Sequence, residues 1–110
     1  MVFAHTTIHV TDLDRSIAFY ERLGMPLCRR FGPPEHEIAF MGDGETKLEL
    51  ISDGCPVDYR GISIGFTCRG AGELARELDE KFVGPVSPSP GVEFWFVRDP
   101  DGFTVQILEG

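Results

Sequence analysis

The sequence predicts an α+β domain of two tandem βαβββ modules, whose strands form an open, cup-shaped mixed sheet with the helices outside. Three observations predict it. The order strand, helix, three strands occurs twice within 110 residues. Each copy opens on a stretch alternating with period two and passes into one with helical apolar spacing. A segment rich in turn residues, about 54–60, separates module 1 (about 1–53) from module 2 (about 61–110). Neither module can bury a sheet face alone, so the two are expected to fold as one unit.

In the first module, residues 5–10 alternate, with Ile8 and Val10 on one face and His5, Thr7 and His9 on the other. Thr11 and Asp12 offer helix caps, and Asp14 stands at capping-box spacing from Thr11. Leu13, Ile17, Tyr20 and Leu23 form an apolar helical stripe that Gly24 can close. Leu27–Phe31 and His36–Met41 are strands split by a Gly-Pro-Pro turn, Gly42–Gly44 is a hairpin signal, and Thr46–Ser52 is the fourth strand.

The second module repeats the order. Gly61–Thr67 alternates, with Ile62, Ile64 and Phe66 toward the helix and Gly61, Ser63 and Gly65 toward the cup. Ala71, Leu74, Ala75, Leu78 and Phe82 make the second helical stripe. Val83–Val86 is a short strand, 87–91 a loop, and Val92–Arg98 an aromatic-rich strand. Asp99–Gly102 has the residues of a type I turn, and Phe103–Leu108 is the last strand.

Composition narrows the function classes. A hydrophobic content of 42% supports a core in a single compact domain. The net charge, 10 − 18 = −8, argues against nucleic acid or an anionic membrane and suits a cationic ligand. No apolar run is long enough to span a bilayer, and the N-terminus lacks a signal-peptide pattern. Cys28, Cys55 and Cys68 are odd in number and lack metal-site spacing, so they read as buried free thiols of a reducing cytoplasm. No Gly-rich phosphate loop and no nucleophilic triad is present.

The segment His5-Thr-Thr-Ile-His-Val-Thr-Asp-Leu-Asp-Arg-Ser-Ile-Ala-Phe-Tyr-Glu-Arg-Leu-Gly24 resembles the opening of the vicinal oxygen chelate superfamily, which includes glyoxalase I, bleomycin-resistance proteins and extradiol dioxygenases. The ending Asp99-Pro-Asp-Gly-Phe-Thr-Val-Gln-Ile-Leu-Glu109 resembles that family's closing turn and strand. The resemblance spans the chain and implies a metal ligand on the first and fourth strand of each module. Those positions are His5, Glu49, Gly61 and Gln106. His5 and Glu49 match the pattern, Gln106 stands where Glu is usual, and Gly61 where His is usual. The set supplies three donors at most, so the resemblance implies either no cofactor or a weakly held Zn, Ni, Mn or Co ion.

The chemistry that remains is limited. Glyoxalase-type isomerisation moves a proton between adjacent carbons and needs a base beside the metal. A Gln106 amide cannot be that base, which leaves Glu49 as the catalytic candidate, on condition that it leaves the metal. Ring cleavage at iron needs two His and a carboxylate, which the set does not supply. His9 lies about 13 Å along the strand from His5, too far to share a metal, but placed to contact a ligand. Gly61, Ser63 and Gly65 leave space on one strand face, and Phe40, Phe94, Trp95 and Phe96 can wall a pocket for a flat ligand. His36, beside the Pro-Pro turn, reads as solvated. Three functions follow: a protein that sequesters a bulky aromatic small molecule, as antibiotic-resistance members do, a divalent-metal lyase or isomerase using His5 and Glu49, or a metal-free enzyme using Glu49 or His9 as acid and base. Short loops leave the cup open, which points to a homodimer.

Overall fold

The computed structural model describes all 110 residues. They divide into two compact units, Met1–Asp58 and Tyr59–Gly110. The first holds β1 (His5–His9), α1 (Leu13–Arg22), β2 (Leu27–Phe31), a 3-10 turn at Pro34–His36, β3 (Glu37–Met41) and β4 (Lys47–Ser52). The second holds β5 (Ser63–Cys68), α2 (Ala71–Leu78), β6 (Val83–Val86), β7 (Phe94–Arg98) and β8 (Thr104–Glu109). The expected βαβββ order is present in both units. Their strands form two four-stranded mixed sheets, ordered β1-β4-β3-β2 and β5-β8-β7-β6. In each, the first strand runs parallel to the last and the other neighbours are antiparallel.

Strand alternation gives each sheet one buried and one open face. In the first unit Ile8, Ala39, Met41, Leu48 and Leu50 are buried, as are Leu13, Ile17 and Tyr20 of α1, which packs on β3 and β4. Burying a side chain of this size contributes about 1.5–3 kcal/mol, so this layer dominates the unit's stability. The opposite face carries His5, Thr7, His9, Phe40 and Glu49. In the second unit Trp95, Val97, Val105 and Ile107 are buried, as are Ala71 and Ala75 of α2, which packs on β7 and β8. Its open face carries Ser63, Gly65, Phe96, Arg98, Thr104 and Gln106.

Helix ends refine the sequence reading. Asp12, not Thr11, caps α1, accepting from the Arg15 backbone N–H at 3.1 Å. Asp14 is then free of the expected capping box and pairs with Arg30 at 2.6 Å. That guanidinium also bonds Glu37 through Nε and Nη2, at 2.7 and 3.0 Å. Helix α2 stops at Leu78, so Phe82 lies outside it. The Asp79 carboxylate accepts from the backbone N–H groups of Lys81 and Arg98 and fixes the exit. At the other end the Glu109 carboxylate accepts from Gly70 and Ala71 N–H, satisfying orphan donors of the first turn.

Three expectations are corrected. Cys28 and Cys55 are exposed rather than buried, because they fall on an edge strand and in the segment after β4. Strand β5 starts at Ser63, so Gly61 precedes it in a turn. Strand β7 starts at Phe94, because residues 87–93 are given to the preceding loop.

Candidate functional site

On the open face of the first sheet, β1 and β4 are parallel neighbours with Thr7 paired to Glu49. This register brings His5 Nε2 to 3.4 Å from Glu49 Oε1. The Thr7 hydroxyl donates to the same carboxylate oxygen, which holds it in place. The His5 ring meets Phe40 edge-on at 5.5 Å, and Phe40 stacks on Phe31 at 6.1 Å. An imidazole nitrogen and a carboxylate oxygen at this separation match two neighbouring ligands of one divalent ion, which stand about 3.0–3.4 Å apart when bonds are near 2.1 Å. His5 and Glu49 therefore fit a metal as two of its ligands. An ion held by this pair alone would be weakly bound.

Further along β1, His9 Nδ1 lies 3.0 Å from Asp53 Oδ1. That oxygen also accepts from the Cys55 backbone N–H at 3.0 Å. These contacts, with the Cys55 N–H foremost and His9 next, hold the Asp53 carboxyl below the usual carboxylate range. The ligand atoms of His9, Asp53 and Cys55 lie within 4.8 Å of one another. His9 alone was legible in the sequence as a candidate. Asp53 and Cys55 join it through the β1–β4 register and a local turn, which a one-dimensional pattern does not display.

The second unit carries a concavity of about 610 Å³, open to solvent. Gly61, Ser63 and Gln106 line it, together with Arg60, Phe96, Arg98 and Thr104. Gly61 adopts φ +75° and nothing lies within 4 Å of where its Cβ would be, so the glycine both allows the turn and leaves the wall open. Gly65 pairs with Gln106 across the parallel β5–β8 ladder, and a Cβ on Gly65 would stand 3.5 Å from Gln106 Oε1. Phe94 meets Phe96 edge-on at 5.4 Å on the same face. The Arg98 guanidinium donates to the Gly102 carbonyl at 2.9 Å, which orients it along the rim.

The lining contains two guanidinium groups and no carboxylate. In a chain of net charge −8 these are the two charged side chains of the lining. Arg60 and Arg98 were missed by the sequence reading. The available signal was alternation along β7, which sets Phe94, Phe96 and Arg98 on one face.

Trp95 is placed elsewhere. It is buried on the helix side of β7, where a Cβ on Gly72 of α2 would lie 2.8 Å from its Cζ2. It therefore packs the core of the second unit and does not line the concavity. A run of three aromatics gives no phase, so the sequence could not tell which of them faced inward.

Comparison with known proteins agrees with this architecture. Residues 2–107 match the profile of the Glyoxalase/Bleomycin resistance protein/Dioxygenase superfamily. A lactoylglutathione lyase of Haemophilus influenzae is 37% identical over 131 residues, covering 99% of this chain and 93% of the relative. Among solved structures, the trypanothione-dependent glyoxalase I of Leishmania major aligns with TM-score 0.77 and 31% identity, over 99% of this chain and 86% of that one. A glyoxalase family protein from Bacillus cereus aligns with TM-score 0.83 at 23% identity, over 97% and 92%, and shows the fold.

Proposed function

The chain belongs to the Glyoxalase/Bleomycin resistance protein/Dioxygenase superfamily, and from that premise we propose that it is a small-molecule-binding protein whose ligand is an anion with a flat apolar part. The observation that carries this reading is the concavity of about 610 Å³, whose lining includes Arg60, Phe96 and Arg98. Guanidinium groups bind carboxylates and phosphates through charge-assisted hydrogen bonds, and a phenyl face accepts a flat apolar group. Ser63, Thr104 and Gln106 supply neutral polar contacts that orient the ligand. Gln106 favours binding over turnover, because an amide cannot accept a proton at neutral pH. Sequestration of a toxic or antibiotic compound is the biological role this chemistry suits.

A second reading is a divalent-metal-dependent lyase of the glyoxalase type. It is favoured by the 3.4 Å approach of His5 and Glu49 and by the Haemophilus relative, a lactoylglutathione lyase. A Zn, Ni, Mn or Co ion held there would polarise a substrate carbonyl. His5 and Glu49 would hold the ion, with Thr7 fixing the carboxylate, and Glu49 would have to leave the ion to act as the base. The two readings are separated by incubating the protein with methylglyoxal and glutathione, whose hemithioacetal the isomerisation would convert to a thioester, with and without added Ni²⁺ or Zn²⁺, and following thioester absorbance. The binding reading expects constant absorbance beside heat on titration. Metal-dependent gain of thioester supports the lyase.

We also propose a homodimer, supported by exposed Ile62, Val83 and Phe31, which light scattering tests. A reducing cytoplasm is supported by three free cysteines.

A further inference from the structure

We propose that His9, Asp53 and Cys55 form a zinc-class metal site, separate from the His5–Glu49 pair. The first argument is donor chemistry. One imidazole nitrogen, one carboxylate oxygen and one thiol sulfur make a mixed set that suits a borderline ion such as Zn²⁺ or Co²⁺, not Mg²⁺ or Ca²⁺. The second is geometry. Ligand atoms around a tetrahedral zinc stand about 3.3–3.7 Å apart, given bonds of roughly 2.0–2.3 Å. His9 Nδ1 and Asp53 Oδ1 are already 3.0 Å apart, and all three ligand atoms fall within 4.8 Å of one another. The Cys55 side chain is exposed, so no packing opposes its turning toward the other two.

The scaffold presets two of the three ligands. His9 ends β1, and Val10 N–H bonds the Ile51 carbonyl at 2.9 Å, which ties β1 to β4 immediately before Asp53. The Asp53 side chain is fixed by Cys55 N–H, so carboxylate and cysteine are held in one short turn. His9 and Asp53 are half-buried, which lowers the entropy lost on binding. Three protein ligands leave a fourth position for water or a small anion, the arrangement of open rather than closed zinc sites. His5 lies about 13 Å away by strand rise, so one ion cannot use both imidazoles.

Co²⁺ titration reads the site directly, because a cobalt–thiolate bond gives a ligand-to-metal charge-transfer band in the near ultraviolet. The protein used is the Cys28→Ser, Cys68→Ser variant, whose one remaining thiol is Cys55. The band is expected in this background and is expected to vanish on Cys55→Ser. Affinity is expected to fall at least about tenfold on His9→Gln or Asp53→Asn, while Glu49→Gln leaves the band unchanged. Thermal melts confirm that each variant folds, and Zn²⁺ should quench the band by displacement. Absence of the band in the Cys55-containing protein, or its loss with Glu49→Gln but not with His9→Gln, would overturn the assignment.

Discussion

His5 Nε2 and Glu49 Oε1 stand 3.4 Å apart on neighbouring parallel strands, with the Thr7 hydroxyl fixing the carboxylate between them. Two ligands of this kind bind a hard ion weakly, because most of its coordination shell stays with solvent. Mn²⁺, which avoids thiolate, is the probe that isolates this pair. Wild-type protein is expected to reduce the electron paramagnetic resonance signal of free Mn²⁺ only at high protein concentration. Glu49→Gln is expected to weaken that binding by more than about tenfold.

Gly72 and Trp95 lock α2 to its sheet. A Cβ on Gly72 would stand 2.8 Å from Trp95 Cζ2 and 3.1 Å from Cε2, well inside normal contact. Gly72→Ala is therefore expected to destabilise by about 1–3 kcal/mol, despite the higher helix propensity of alanine. Urea unfolding followed by Trp95 fluorescence measures it, since Trp95 is the single tryptophan. An unchanged midpoint would mean the helix slides freely over the indole.

Arg30 gives the first unit a pH dependence. Its guanidinium bonds Glu37 through two nitrogens and Asp14 through a third, and the Arg30 bond holds the Glu37 carboxyl below its ordinary value of 4.5. A carboxyl depressed in the folded state stabilises fully above its unfolded pKa and loses that contribution as pH falls through the folded one. Wild type is therefore expected to melt above Glu37→Gln at neutral pH. The gap should stay constant down to about pH 5 and close as the pH drops below the ordinary glutamate value. Thermal melts across an acid series check this, and high salt should narrow the gap because the pair is exposed.

Much of this was legible in the residues, for identifiable reasons. Ile8 against His5, Thr7 and His9 is a clean period-two pattern, and β1 faces as it predicts. The Asp99–Gly102 turn was legible from its residue types, and Asp99 does accept from Asp101 and Phe103 N–H. Other features needed three dimensions. Nothing in the identity of Gly61 says that it takes φ +75° before the strand rather than within it. The sides taken by Phe94, Trp95 and Phe96 depend on the phase of β7, which three consecutive aromatics conceal. The meeting of His5 with Glu49, like that of His9 with Asp53, depends on the β1–β4 register, and for the second pair no sequence motif reports that register.

The open face of the second sheet is proposed to bind an anion through Arg98 and Arg60. Isothermal titration of wild type and Arg98→Gln with S-lactoylglutathione, 1-naphthoate and the cationic drug bleomycin tests it most directly. Losing one charge-assisted hydrogen bond costs about 1.5–3 kcal/mol, or roughly 10–100-fold in affinity. Wild type is expected to bind at least one of the two anions, Arg98→Gln to bind it more weakly by that factor, and bleomycin to give no heat. Binding of bleomycin alone, no binding of either anion, or equal affinity in wild type and Arg98→Gln would contradict it.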